Sequence, residues 1–269
     1  MSSEAVQLSD WLAAAASLRP ASIDLLYADP PFNTGAAKAT PPNAHKSERA
    51  TFAAYQDSWP SMPDYIAWLR ERLAATLPAL KPTGNILLHV DWRTSHHARL
   101  LLDDLLGADR FVNHLVWSYG LGGSSPRRFA RKHDDILFYC VDPERYYFDP
   151  PRVPATSARL RGKLKKATDV IEIPDEAFAQ SSVLKVPSLN NMAAERTGYP
   201  TQKPLALLDL LVRACCPPGG TVLDPCCGSG TTLVAAAATG RGVMGFDVSP
   251  DAVRLACERL HGATRPHGR

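Results

Sequence analysis

The chain has 269 residues, of which 45% are hydrophobic and 21% charged, with a net charge of +3 at pH 7. This is enough for one sizeable α/β core, or a core with a small insert, and the balance is that of a soluble globular protein with no apolar run long enough to span a bilayer. The opening residues lack the charged-then-apolar layout of a secretory leader, and six cysteines in a chain this long do not make a disulfide scaffold.

The first predicted element is a short helix from about Leu8 to Leu18, with Leu8, Trp11, Leu12 and Leu18 apolar. Ile23-Asp24-Leu25-Leu26-Tyr27-Ala28 reads as a buried strand and runs into Asp29-Pro30-Pro31-Phe32. The prolines stop the strand and donate no backbone hydrogen bond, which leaves their carbonyls free to face a ligand. A carboxylate, a rigid carbonyl and an aromatic ring at the carboxyl end of a strand suit the gripping of a planar base by its amino group. A proline-terminated strand with a capping Asp is the plainer alternative. Asn33 to Trp59 has no periodicity and reads as a long loop beside this stretch.

A helical pattern returns from Tyr65 to Leu80 and breaks at Lys81-Pro82-Thr83-Gly84. Asn85 to Asp91 reads as a strand, Thr94 to Leu106 as a helix, and Phe111 to Tyr119 and Ile136 to Cys140 as further strands. Strands alternating with helices of this length predict a doubly wound, mostly parallel sheet. Between Gly120 and Thr197 the periodicity fades and charge gathers. From Arg127 to Lys166 eleven basic residues stand against five acidic ones, an excess of +6, twice that of the whole chain. The basic candidates are Arg127, Arg128, Arg131, Lys132, Arg159, Arg161, Lys163, Lys165 and Lys166, with Phe129, Tyr146, Tyr147 and Phe148 interleaved. Such a patch suits phosphate contacts; a solvated basic loop is the alternative.

From Tyr199 the α/β pattern resumes. Thr201-Gln202-Lys203-Pro204 opens a helix with Pro in its first turn. Thr221 to Asp224 is a strand, Pro225-Cys226-Cys227-Gly228-Ser229-Gly230 a glycine turn, and Thr231 to Thr239 a helix stopped by Gly240. Gly242 to Asp247 is the next strand, and Ser249 caps a final helix with Pro250 in its first turn. Strand, glycine turn and helix N-terminus let backbone approach a ligand closely, and Asp247 at the end of the following strand suits ribose hydroxyls. Leu233 is too large for a pyrophosphate fingerprint. A nucleoside without pyrophosphate, such as S-adenosylmethionine, fits better, with Asp224 toward its amino group. The paired cysteines lack the spacing of a zinc site, so no metal is expected.

In this order the stretches Asp29 to Phe32, Thr201 to Pro204 and Asp224 to Thr232 resemble the catalytic, first-helix and cofactor motifs of β-group DNA amino-methyltransferases. Asn85 to Asp91, Phe111 to Trp117 and Arg131 to Leu137 resemble further strands of that group. The resemblance covers nearly the whole chain except Asn33 to Trp59 and about Asp142 to Thr197. It departs where the group often carries an aromatic residue and this chain has Cys226 or Cys227. It implies a Rossmann-like α/β methyltransferase fold with an inserted target-recognition region. The expected division is a catalytic part over 1–141, the insert over 142–197, a cofactor-binding part over 198–262 and a disordered tail over 263–269. It implies S-adenosylmethionine as cofactor and double-stranded DNA as substrate. Asp29, Pro30, Pro31 and Phe32 would be catalytic. Thr201, Gln202, Lys203, Asp224, Pro225, Cys226, Gly228, Gly230, Thr231, Thr232 and Asp247 would hold the cofactor. The expected location is the cytoplasm, with the nucleoid. A homodimer and a cognate restriction enzyme are left open as partners, as is adenine N6 against cytosine N4. An RNA amino-methyltransferase and a catalytically silent DNA-binding module are the competing readings.

Overall fold

The computed structural model describes residues 5–35, 57–119, 125–155, 159, 162–172, 184–186 and 195–264. The first elements are a strand β1 (Val6–Leu8), a helix α1 (Trp11–Ala16) and a strand β2 (Ile23–Ala28). They are followed by α2 (Met62–Thr76), β3 (Leu80–Asp91), α3 (Ser95–Leu106), β4 (Phe111–Ser118) and β5 (His133–Cys140). Four short strands come next: β6 (Arg152–Pro154), β7 (Leu164–Lys166), β8 (Val170–Glu172) and β9 (Leu184–Lys185). The last elements are α4 (Leu205–Cys215), β10 (Thr221–Asp224), α5 (Thr231–Ala238), β11 (Gly242–Asp247) and α6 (Pro250–Thr264).

Among the described residues, nine strands form one sheet in the order β1-β11-β10-β2-β3-β5-β4-β8-β9. All neighbours pair in parallel except β5, which runs antiparallel between β3 and β4. Alternation along β2 and β3 serves two cores. Ile23, Leu26 and Ala28 with Ile86 and Leu88 meet α1, α2 and α3 on one face. Leu25 and Tyr27 with Leu87 meet α4 and α5 on the other. The expected doubly wound, mostly parallel sheet is therefore present, and both its faces are covered, as parallel sheets require. No helix among the described residues is long and apolar enough to cross a membrane.

Three expectations need correction. Leu8 lies in a strand rather than at the start of a helix, because Val6 to Leu8 pairs with Gly245 to Asp247 at the sheet edge. That pairing is long-range and leaves no local periodic signal. Pro204 precedes α4 as an extended residue instead of standing in its first turn. Finally, α6 continues to Thr264, into the first two residues of the tail over 263–269 that was expected to be disordered; residues 265–269 lie outside the described residues, as does most of the loop over 33–59. The stretch over 142–197 is divided in two: β6 and β7 form a separate two-stranded sheet, while β8 and β9 extend the main sheet beyond β4.

Asn85 ties this stretch to the core. Its buried amide Nδ2 donates to the carbonyls of Tyr147 at 2.6 Å and Cys215 at 2.8 Å, joining β3 to the segment after β5 and to the end of α4. Asn85→Ala strands both carbonyls, each at a cost of about 1–3 kcal/mol. Urea unfolding should show a lower midpoint with unchanged slope; an unchanged midpoint would mean that water replaces the amide freely.

Candidate active site

The strands β2, β10 and β11 lie side by side and run parallel, so their carboxyl ends open together. The residues at those ends, Asp29, Asp224 and Asp247, line one cavity of about 230 Å³. The same cavity is lined by Pro31, by Thr201, Gln202 and Lys203, and by Pro225, Cys226, Gly228, Thr231 and Thr232 of the glycine turn and α5. The catalytic and cofactor candidates other than Pro30, Phe32 and Gly230 thus share one space. Pro30 is buried beside it, while Phe32 is half-buried with its ring stacked on His89, centroids 5.9 Å apart and planes 25° apart.

Two glycines shape the turn. Gly228 has φ of +48°, and a Cβ there would approach the Tyr199 ring to 3.0 Å. Gly230 has φ of +74°, and a Cβ there would lie 2.7 Å from the Ala256 Cβ, so a side chain would push α5 off α6. The backbone freed by the turn is used at once. The Gly228 N–H donates to Asp247 Oδ2 at 2.8 Å, and the Ser249 N–H donates to Asp247 Oδ1 at 2.9 Å. From α6, Arg259 Nη1 donates to the Ser229 carbonyl at 2.6 Å and lies 2.9 Å from Thr231 Oγ1. Asp224 is buried and accepts the Cys226 N–H at 3.1 Å. Burial, reinforced by the nearby charges of Asp29 and Asp247, pushes its carboxyl up to about 7. Burial also raises Asp247, against the pull of its backbone donors. The thiols of Cys226 and Cys227 are pushed well up by burial, so neither is poised as a nucleophile.

At Asp29 the two oxygens differ. Lys203 Nζ donates to Oδ2 at 2.5 Å, and that ammonium also lies 5.1 Å from the Phe32 ring centroid. Oδ1 is buried and accepts from no group among the described residues. Lys203, expected among the cofactor residues, lines the shared cavity, and its ammonium meets the carboxylate at the end of β2. Gln202, set with it, directs its amide to backbone. It accepts from the Thr197 N–H at 2.8 Å and donates to the Glu195 carbonyl at 2.7 Å, which fixes the entry to α4. Behind Phe32 runs a polar row, buried as far as Asp134 and ending on the half-buried Tyr119: Tyr27 Oη to His89 Nδ1 at 2.8 Å, His89 Nε2 to Asp134 Oδ2 at 3.2 Å, and Tyr119 Oη donating to Asp134 Oδ1 at 3.0 Å. Burial opposes the Asp134 charge, but its His89 and Tyr119 partners and the Lys203 charge hold the carboxyl below its ordinary value.

The aromatic wall of the cavity, Trp11, Trp59, Trp68 and Tyr199, was not among the expected site residues. Trp11 carried a signal only as an apolar helix position, and the Trp59 ring packs 4.9 Å from those of Tyr65 and Trp68. Of the basic candidates, Arg127, Arg128 and Arg131 are exposed and Lys132 is half-buried on the segment entering β5. Arg159, Lys163 and Lys166 are exposed and Lys165 is half-buried, the lysines on or beside β7. Arg161 lies outside the described residues. No group of three or more metal-ligating side chains occurs among the described residues.

The family model for DNA methylases of the N6/N4 methyltransferase type matches residues 23–258. The chain belongs to the DNA methylase family. It is an enzyme, a DNA amino-methyltransferase. Type II methyltransferase M.ScaI of Streptomyces caespitosus is 30% identical over 217 residues, 74% of this chain and 68% of its own length. DNA adenine methyltransferase YhdJ of Escherichia coli strain K12 is 26% identical over 258 residues, 95% of this chain and 82% of its own length. The crystal structure of M1.HpyAVI in complex with SAM superposes with a TM-score of 0.62 at 20% identity, covering 95% of this chain and 98% of that one, a likeness of fold.

The raised carboxyl of Asp224 makes a pH prediction for this DNA methylase. A raised native value means that the folded state keeps a proton which the unfolded state loses above its ordinary 3.8, so this group's contribution to stability falls as pH rises from about 4 to about 7. Asp224→Asn removes that penalty. Urea midpoints of the ligand-free variant should gain on the native protein between pH 4 and pH 8; a difference independent of pH would overturn the raised value.

Proposed function

We propose that this DNA methylase transfers a methyl group from S-adenosylmethionine to the exocyclic N6 of an adenine flipped out of double-stranded DNA. The observation that carries the reading is Asp29, whose Oδ2 is held by Lys203 while Oδ1 is buried without a donor among the described residues, in the cavity that also holds Asp224 and Asp247. An unpaired buried acceptor is costly, and an amino N–H of the target base supplies the missing donor. The adenine assignment is favoured by the likeness to the adenine methyltransferase YhdJ and by Asp, rather than Ser, at the first position of the motif.

The residues fit S-adenosylmethionine. The cavity is lined by the carboxylates of Asp10, Asp29, Asp224 and Asp247, which suits a ligand with cationic groups. Asp224 would face its amino group. Asp247, already oriented by two backbone N–H groups, keeps lone pairs for the ribose hydroxyls. When bound, this cofactor supplies an electrophilic methyl on a sulfonium.

The chain's own residues do the rest. An exocyclic amino group cannot be reached inside the stack, so the base must leave the duplex. Phe32, backed by His89 on one side, offers its ring to the base; such contacts contribute about 1–3 kcal/mol. Asp29 Oδ1 and the Pro30 carbonyl accept the two amino hydrogens, which turns the nitrogen lone pair out of conjugation and toward the methyl. Holding the reactants in line can supply about 7–11 kcal/mol of the barrier. The methylated nitrogen sheds its proton readily, so Asp29 acts by position and charge more than by basicity. The basic segment before β5 and the strand pair β6–β7 would carry the phosphate contacts.

Two measurements test this reading. DNA treated with the enzyme and digested to nucleosides should contain N6-methyladenine by mass; N4-methylcytosine would replace the adenine assignment, and unmodified nucleosides would refute the activity. Asp29→Asn should slow single-turnover transfer by about 10²-fold, the scale on which loss of one preorganised electrostatic partner is felt. Its dissociation constants for DNA and S-adenosylmethionine should change little. Near-native transfer would remove Asp29 from the chemistry.

A further inference from the structure

Flipping a base leaves a gap in the duplex, and the cavity residues act only on the base that has left. The segment entering β5 supplies a group for the gap. Phe129 is 97% exposed, and among the described residues its ring meets no other ring. It stands in Arg127-Arg128-Phe129-Ala130-Arg131-Lys132, with four cations and no acid. A bare aromatic ring in a cationic run has little to gain from water and much from a polyanion with stacked faces.

The segment is fixed at the sheet edge that holds the candidate site. Because β5 runs antiparallel to β3, its first residues stand at the carboxyl end of β3, with Asp134 opposite Asp91. The Arg131 guanidinium lies 3.5 Å from the centroid of the Trp92 ring, directly after β3. The Tyr119 N–H donates to the Lys132 carbonyl at 2.8 Å. Two residues on, Asp134 meets His89, the ring on which Phe32 stacks. Phe129 therefore projects from a strap pinned at both Arg131 and Lys132, on the side where the base must enter.

We propose that Phe129 is a wedge that enters duplex DNA and fills the space vacated by the flipped base, with Arg127 and Arg128 on the flanking phosphates. The inference rests on the DNA base-flipping reading above. Apolar side chains inserted between base steps unstack a duplex in this way. A phenyl ring cannot pair with the orphaned base, so its contribution is stacking and exclusion of water, and it reads no sequence. The wedge matters only while the target base is still paired, which is what distinguishes it from a general DNA contact.

The test uses the full chain and a duplex carrying the site mapped in DNA the enzyme has methylated. Phe129→Ala should lower single-turnover methylation of the fully paired duplex by about tenfold or more, the effect of losing one base–aromatic stack. On the same duplex with an abasic site opposite the target base, the variant should come within about twofold of the native enzyme. Phe129→Trp should retain native rates on both. With 2-aminopurine at the target position, the fluorescence rise on binding should shrink in Phe129→Ala. An equal loss on paired and abasic duplexes, or native rates on the paired one, would overturn the wedge. Methylation of the paired duplex by the native enzyme stands independently, so failure of the wedge is distinct from failure of the proposed activity.

Discussion

Four carboxylates, those of Asp10, Asp29, Asp224 and Asp247, face one cavity, and among the described residues lining it Lys203 is the one ammonium. Like charges held this close in a partly dry space repel, and each acid is relieved differently. Asp10 pairs with Arg72 at 3.0 Å, Asp29 pairs with Lys203, Asp247 takes two backbone N–H groups, and Asp224 holds a proton up to about pH 7. The crowding follows from topology: parallel neighbours finish at one edge, and the acids stand just at or past the strand ends. It also has a chemical result. A wall this rich in acids favours a donor with a cationic sulfur over its neutral thioether product.

The second support of the site is the largely buried row from Tyr27 through His89 to Asp134 and the half-buried Tyr119. It crosses four strands, β2, β3, β5 and the end of β4, and it underlies the Phe32 ring. Buried polar groups with every partner in place rigidify their surroundings. The ring after the proline pair is therefore backed by the sheet rather than by the loop that follows it. Lys203, reaching in from the residues before α4, closes the arrangement from the other half of the chain.

Much of this was legible in the sequence, for physical reasons that differ by element. The strand β2 and the turn after β10 announce themselves locally, one by an apolar run stopped by prolines, the other by glycines where side chains would strike Tyr199 and Ala256. Local signals placed Asp29, Asp224 and Asp247 at strand ends, and parallel pairing then had to bring them together. What escaped was set by contacts distant in sequence. Leu8 became a strand only because β11 lies beside it, and the tryptophan wall is assembled from α1, α2 and Trp59, three positions before α2 begins. The partner of Lys203 stands 174 positions away, and no spacing rule reaches that far.

The edge strand β1 pairs with β11, the last strand in the sequence, and the Ser9 N–H donates to the carbonyl of Asp247 at 3.0 Å. Immediately after β1 come Asp10 and Trp11, which form part of the cavity wall. On the ribosome, this first stretch emerges long before the strand that anchors it. Until β11 has been made, the nascent chain carries an unpaired β1, a liability that charge or chaperones cover. Closure of the pocket is thus a late, long-range event in folding. Methyl-donor affinity would report that β11 has been made and has docked, and a product cut short before β11 would have no pocket in which to bind it.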